Sequence, residues 1–253
     1  MAIEDTGFVD RVVIITGAGS GIGRAAALAF ARAGAHVLGV GRRQDALDST
    51  AEQHPGIAVL ATDISAAEAP DAVVQAAVDR WGGVDVLVNN AGATAMMPLA
   101  EATENRINDL FRLNVTAPSL LARAALPHLR RTNGSIINVS STFGHRPAPH
   151  FSHYAATKSA LEQLTRSWAL ELAPDGIRVN AVAPGPTESE ALTAAGLPTD
   201  LVDQVKKAEA ERIPLGRRGE PEEVATWILR LADPAAGWLT GQVLTVDGGL
   251  ELL

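Results

Sequence analysis

From residue 12 onward, short runs of β-branched, apolar residues alternate with longer alanine-rich segments of helical character. The runs fall at residues 12–15, 37–40, 57–61, 84–88, 135–139, 177–182 and 243–246. Between them lie helical segments at 21–33, 45–53, 68–81 and 104–129, and one that contains Tyr154 and extends to about Leu172. Strands that are almost wholly apolar, rather than alternating, are buried on both faces. With helices between them they predict an α/β fold, a parallel sheet covered on both sides. No repeat, low-complexity tract or linker divides the 253 residues, so one domain over 1–253 is expected.

Residues 188–212 depart from the pattern. Two helix-like pieces there are broken at Gly196, Leu197 and Pro198. A connection of this length suits a substrate lid, and equally a static helical insertion.

Composition removes several function classes. There is no cysteine, which excludes disulfides and thiolate metal sites and suits a reducing cytoplasm. The net charge of −8, with no basic cluster, makes nucleic acid and anionic membranes poor partners. The opening MAIEDTGFVDR is acidic and lacks the apolar run of a secretory signal. Apolar stretches are interrupted well before the length of a membrane span. The six histidines show no HExxH or similar spacing, so no metal site is expected.

After the first strand comes TGAGSGIGRA, residues 16–25, with glycines at 17, 19, 21 and 23. It is not a regular G-x-G-x-x-G, because Ile22 occupies the last glycine position, and no Gly-Lys-Ser/Thr makes it a P-loop. Its physical use is the same. Glycines let backbone approach a pyrophosphate, and the following helix offers unpaired N–H groups. A tight packing turn is the alternative. In a dinucleotide site an acid at the end of the second strand would bind the ribose 2′-hydroxyl. Here Gly41, Arg42 and Arg43 occupy that place. Arginines suit a 2′-phosphate, so NADP(H) is preferred. NAD(H), with Asp45 on the ribose, is the alternative.

The stretch SHYAATKSALEQL contains the only tyrosine, Tyr154, and Lys158 follows at i+4. On a helix these share a face. An ammonium beside a phenol favours phenolate and lowers its pKa from near 10. The pair therefore suits proton transfer, with Lys158 expected to lower the Tyr154 pKa.

NNAG at 89–92, SIINVSSTFG at 135–144, YAATK at 154–158, APGPTES at 183–189 and VDGG at 246–249 now join the glycine turn. In this order, over almost the whole chain, they resemble the short-chain dehydrogenase/reductase family, and most closely its 3-oxoacyl-carrier-protein-reductase-like members. The resemblance implies a Rossmann-like doubly wound domain with a seven-stranded parallel sheet. The activity it implies is hydride transfer between NADP(H) and a ketone or secondary alcohol, possible substrates including 3-oxoacyl compounds. It implies a catalytic tetrad of Asn114, Ser141, Tyr154 and Lys158, with Asn114 holding a water that links Lys158 to solvent.

For the cofactor it implies Gly17, Gly19, Ser20, Gly21, Ile22 and Gly23 at the pyrophosphate, and Asp63 and Ile64 at the adenine. Asn90, Ala91 and Gly92 would lie along the ribose, and Pro184, Gly185, Thr187 and Ser189 at the nicotinamide end. Ser20 stands where many NADP-using relatives carry Arg or Lys. Members are commonly tetramers, built partly on the helices after strands four and five. Met96, Met97, Phe143 and Phe151, with the loop at His145 and residues 192–197, are candidate substrate walls.

Overall fold

The computed structural model describes residues 7–189 and 198–253. Seven strands form one parallel sheet: β1 (Val12–Thr16), β2 (His36–Gly41), β3 (Ile57–Ala61), β4 (Val86–Asn89), β5 (Ser135–Val139), β6 (Arg178–Pro184) and β7 (Val243–Val246). Their spatial order is β3-β2-β1-β4-β5-β6-β7. The chain thus winds outward from β1 in one direction, then returns to β4 and winds in the other. The carboxyl ends of β1 and β4, where the order reverses, form the crevice in which such sheets bind ligands.

The helices are α1 (Gly21–Arg32), α2 (Gln44–Ala51), α3 (Ala69–Trp81), α4 (Glu104–Phe111), α5 (Ala117–Thr132), α6 (Ser152–Leu172), α7 (Thr199–Arg212) and α8 (Pro221–Ala232). Strand parity decides which layer each side chain joins. In β1, Val13 and Ile15 pack with Phe30 of α1 and Ile228 of α8. Val12 and Ile14 face the other way, into the core shared with α3, α5 and α6, where Val73, Leu121 and Ala169 lie. Every residue of β1 and β5 is buried, which is why these strands read as continuous apolar runs.

Two segments differ from the sequence pattern. The segment 104–129, expected as one long helix, is divided: a π-helical turn at Arg112–Thr116 separates α4 from α5. And α8 has no counterpart among the segments read from periodicity. Its N-terminus carries a capping box, in which the Glu223 carboxylate accepts from the Glu220 N–H at 2.8 Å, with Pro221 in the first turn.

Candidate active site

The glycine turn is fastened from three sides. Gly17 and Ala18 donate backbone N–H groups to Val40 O at the end of β2. Thr16 Oγ1 accepts from the backbone of Asn90 at 3.0 Å and of Ala91 at 2.9 Å, and Asn90 Nδ2 donates to Thr16 O at 2.8 Å. Arg24 Nη2 donates to Gly19 O at 2.5 Å, and its Nε to Thr50 Oγ1 at 3.1 Å. Glycine is required here by torsion and by space. Gly17 and Gly21 have φ of +73° and +50°, and a Cβ on Gly23 would overlap Gly17 O. Ser20, the residue before α1, makes no capping side-chain hydrogen bond, and the first turn of α1 has no acid. The helix N-terminus therefore presents backbone N–H groups suited to a phosphate.

Above this turn opens a cleft of about 580 Å³, within the size of ordinary cofactor sites. All the residues implied for the cofactor line it. The glycines, Ser20 and Ile22 form one wall, with Arg42 and Arg43 beyond β2 and Asp63 and Ile64 beyond β3. Asn90, Ala91 and Gly92 lie after β4, and Pro184, Gly185, Thr187 and Ser189 after β6. Asp63 is held by a short turn: its Oδ1 accepts from Ser65 Oγ at 2.7 Å and Ser65 N at 2.9 Å. These bonds, with some help from Arg42, hold its carboxyl below the usual range despite slight desolvation.

Ser141, Tyr154 and Lys158 line the same cleft. Ser141 precedes a 3₁₀ turn, accepts from Phe143 N at 3.2 Å and hydrogen-bonds the Tyr154 phenol. Asn114 is brought close by the π turn but does not reach the cleft surface; it is 1% exposed. Its Oδ1 accepts from Ala93 N, and its Nδ2 donates to Ala93 O and to Thr157 Oγ1, each at 3.0 Å. Its side chain thus ties the loop following Gly92 to α6. A Cβ on Gly92 would lie 3.1 Å from Asn114 Oδ1 and 3.4 Å from Lys158 Nζ, so Gly92 is the close joint between these groups.

The electrostatics differ from the simple pairing expectation. Burial pushes the Tyr154 phenol up, and only the Ser141 hydrogen bond opposes it. Lys158 Nζ lies 5.8 Å from the Tyr154 ring centroid and donates to Val139 O at 2.8 Å. Burial lowers the Lys158 ammonium to about 8, against an opposing pull from Glu162. Lys158 thus gives a hydrogen bond to Val139 O, and desolvation opposes the charged form of both side chains.

The candidate substrate residues separate. Phe143 lines the cleft, with its ring edge-on to Tyr154 at 6.4 Å. Phe151 stacks on Phe143 at 5.6 Å from outside the cleft lining. Met96 is 56% exposed and away from the cleft, Met97 is buried, and His145 is turned toward Glu162 and Glu251. The proposed lid falls partly on residues 190–197, which lie outside the described residues. Its second piece is α7, tied down by ion pairs. Lys206 Nζ meets Glu188 Oε2 at 2.5 Å, and the buried Arg218 pairs with Glu188 at 2.9 Å and with Glu209. Arg218, Thr16 and Arg24 are site residues the motif reading passed over. The last two stand within the quoted glycine motif; Arg218 carries no local signal.

A family model described as Enoyl-(Acyl carrier protein) reductase matches residues 17–251. The 3-oxoacyl-[acyl-carrier-protein] reductase of Thermotoga maritima is 38% identical over 247 residues, covering 96% of this chain and 98% of its own. The L-xylulose reductase of Mesocricetus auratus is 39% identical over 250 residues, covering 97% and 98%. A crystal structure of a short-chain dehydrogenase/reductase of unknown function from Caenorhabditis elegans, solved with cofactor, superimposes with a TM-score of 0.92. It is 34% identical and 97% of each chain is covered.

The chain belongs to the short-chain dehydrogenase/reductase family. As a member it is an oxidoreductase acting between CH–OH and C=O groups with a nicotinamide dinucleotide. The seven-stranded Rossmann-like sheet is that of its structural relatives. Among the described residues no helix is long and apolar enough to cross a membrane, and no group of three or more His, Cys, Asp or Glu could hold a metal ion.

Proposed function

We propose that the protein is an NADP(H)-dependent carbonyl reductase in which Tyr154 is the general acid. The observation that carries this reading is the phenol itself. It is neutral at pH 7, hydrogen-bonded to Ser141, and opens on the cleft that the glycine turn begins. NADPH, when bound, supplies the hydride to the carbonyl carbon. Ser141 holds the carbonyl oxygen beside the phenol, which donates its proton as negative charge develops there. Lys158 keeps positive charge next to the residue that gives up the proton, and Asn114 fixes the spacing of both through Ala93 and Thr157.

The NADP preference is supported by Arg42 and Arg43, which line the cleft beyond β2, while Asp45 does not. Ser20 and the first-turn position of Asp45 in α2 favour the other reading, an NAD-dependent alcohol dehydrogenase on the same scaffold. Phe143, edge-on to Tyr154, supports a substrate with an apolar group next to the carbonyl, 3-oxoacyl compounds included.

Binding of NADPH and NADH to the purified protein tests the cofactor reading. NADPH is expected to bind at least about tenfold tighter, with Arg42→Ala removing about 1–2 kcal/mol of that difference. Equal affinities in the parent protein would overturn it. Turnover of a ketone and 3-oxoacyl-thioester panel by Tyr154→Phe tests the chemistry: loss of turnover with cofactor affinity kept is expected.

A further inference from the structure

Glu162 lies one turn of α6 beyond Lys158 and is 2% exposed. A carboxylate withdrawn from water requires partners. Ser140 Oγ donates to its Oε1 at 2.9 Å, His145 Nδ1 lies 3.1 Å from the same oxygen, and Arg166 Nη2 is 3.6 Å from Oε2. The loop is shaped around it. A Cβ on Gly144 would overlap Glu162 Oε1 and stand 2.8 Å from Ser140 Oγ, so a side chain here would displace the carboxylate from its place. The same loop meets α6 at two further points. Ser159 Oγ donates to Gly144 O at 2.5 Å, and Ser140 Oγ lies 3.4 Å from Lys158 O. The segment held in this way carries Ser141 and Phe143.

Behind the clamp, His145 reaches the end of the chain. Its Nε2 lies 2.6 Å from Glu251 Oε2, which also accepts from Thr245 Oγ1 of β7 at 2.9 Å. The charges facing Glu162 are therefore His145 from the loop and Lys158 and Arg166 from its own helix, with Glu251 beyond His145.

We propose that Glu162 is a positioning residue for the reaction: its buried carboxylate clamps the Ser141 loop onto α6 and sets a fixed negative charge one turn from the Lys158 ammonium. The proposal rests on the assignment of the reaction to Ser141, Tyr154 and Lys158. It separates two duties. The hydrogen bonds to Ser140 and His145 locate Ser141 relative to Tyr154. The charge favours the protonated form of Lys158, which burial alone would disfavour.

Two substitutions divide these duties. Glu162→Gln keeps the shape and acceptor oxygen but removes the charge, and Glu162→Ala removes both. Ketone reduction is followed from pH 6 to 10, with NADPH affinity measured in parallel and Tyr154→Phe as the control. In Glu162→Gln the alkaline limb of kcat should move down by about half a unit or more, since Lys158 loses its proton earlier. In Glu162→Ala kcat should fall about tenfold or more while the NADPH Kd changes less than about threefold, as expected of misplacement near the reacting atoms. An unshifted limb in Glu162→Gln, with Tyr154→Phe inactive, overturns the proposal. If Glu162→Ala does not fold, Glu162→Gln decides by the same criterion. If Tyr154→Phe keeps turnover, the underlying assignment fails and the proposal fails with it.

Discussion

Replacing Lys158 with methionine should stabilise the protein at neutral pH while abolishing turnover. Lys158 is 5% exposed, and its ammonium falls from 10.5 to about 8 through burial. At 1.36 kcal/mol per unit this depression corresponds to a penalty of about 3 kcal/mol at pH 7. The folded pKa lies below the unfolded one. The penalty is therefore fully present below about 8 and is relieved as pH rises from there toward 10.5. At pH 9.5 linkage leaves about 1.4 kcal/mol of it.

Methionine fills most of the same volume but leaves Val139 O without its 2.8 Å donor, a loss of about 1–2 kcal/mol. The net gain of Lys158→Met at pH 7 should be about 1–2 kcal/mol. Between pH 7 and 9.5 the variant's advantage should shrink by about 2 kcal/mol. Urea unfolding of both proteins at the two pH values measures this, with equal slopes as the check on comparable unfolded states. Groups that titrate alike in both proteins cancel in the difference. A difference in stability that does not change with pH would refute the reasoning, as would a variant more than about 1 kcal/mol less stable at pH 7.

Three further outcomes are expected. Gly23→Ala drives a methyl into Gly17 O and to 2.5 Å from Asn90 Nδ2; it should cost about 1–3 kcal/mol in a denaturant melt and abolish dinucleotide binding by calorimetry. Asn114→Ala leaves both polar atoms of the Ala93 backbone without their partner and removes a donor to Thr157 Oγ1, which keeps its bond to Tyr154 O; a loss of about 2–3 kcal/mol is expected, with kcat reduced more than cofactor affinity. Because burial holds the Tyr154 phenol above 10, initial rates of alcohol oxidation should climb steadily from pH 7 to 10 while ketone reduction does not. Parallel pH profiles for the two directions would contradict that state of the phenol.

The central strands of the sheet were legible because they lie between two helical layers. Residues such as Val13 and Ile14 join opposite cores, so both parities must be apolar and the strand appears as an unbroken run. The glycine turn was legible because close approach leaves no room for a Cβ at Gly23, and the sequence records that directly. The helix α8 could have been read from Glu220, Pro221 and Glu223, a start signal that lies beyond the 188–212 segment and before the last strand. The π turn could not. It exists where Asn114 bonds Ala93 and Thr157, partners 21 and 43 residues away, and no local period encodes such contacts. The same holds for Met96 and His145, whose loops have no periodicity to say which way a side chain faces.

Spacing predicts adjacency, but adjacency does not settle the electrostatics. Tyr154 and Lys158 share a helical face as i and i+4 residues must, yet the ammonium gives its hydrogen bond to Val139 O and the phenol stays neutral. Lys158 is buried and Tyr154 half-buried, and desolvation disfavours the charged form of each. Opposing the loss of the Lys158 proton is a third residue on that helix, Glu162, whose own burial is tolerated because Ser140 and His145 meet it. The unit that sets the protonation of this site is therefore the stack at 154, 158 and 162 together with the loop at 140–145. A motif of tyrosine and lysine alone describes only its cleft end. The neutral phenol and charged lysine that this stack holds at pH 7 are the forms needed to give a proton to a carbonyl oxygen, so reduction begins from the resting state, whereas oxidation must first deprotonate a phenol that desolvation keeps neutral.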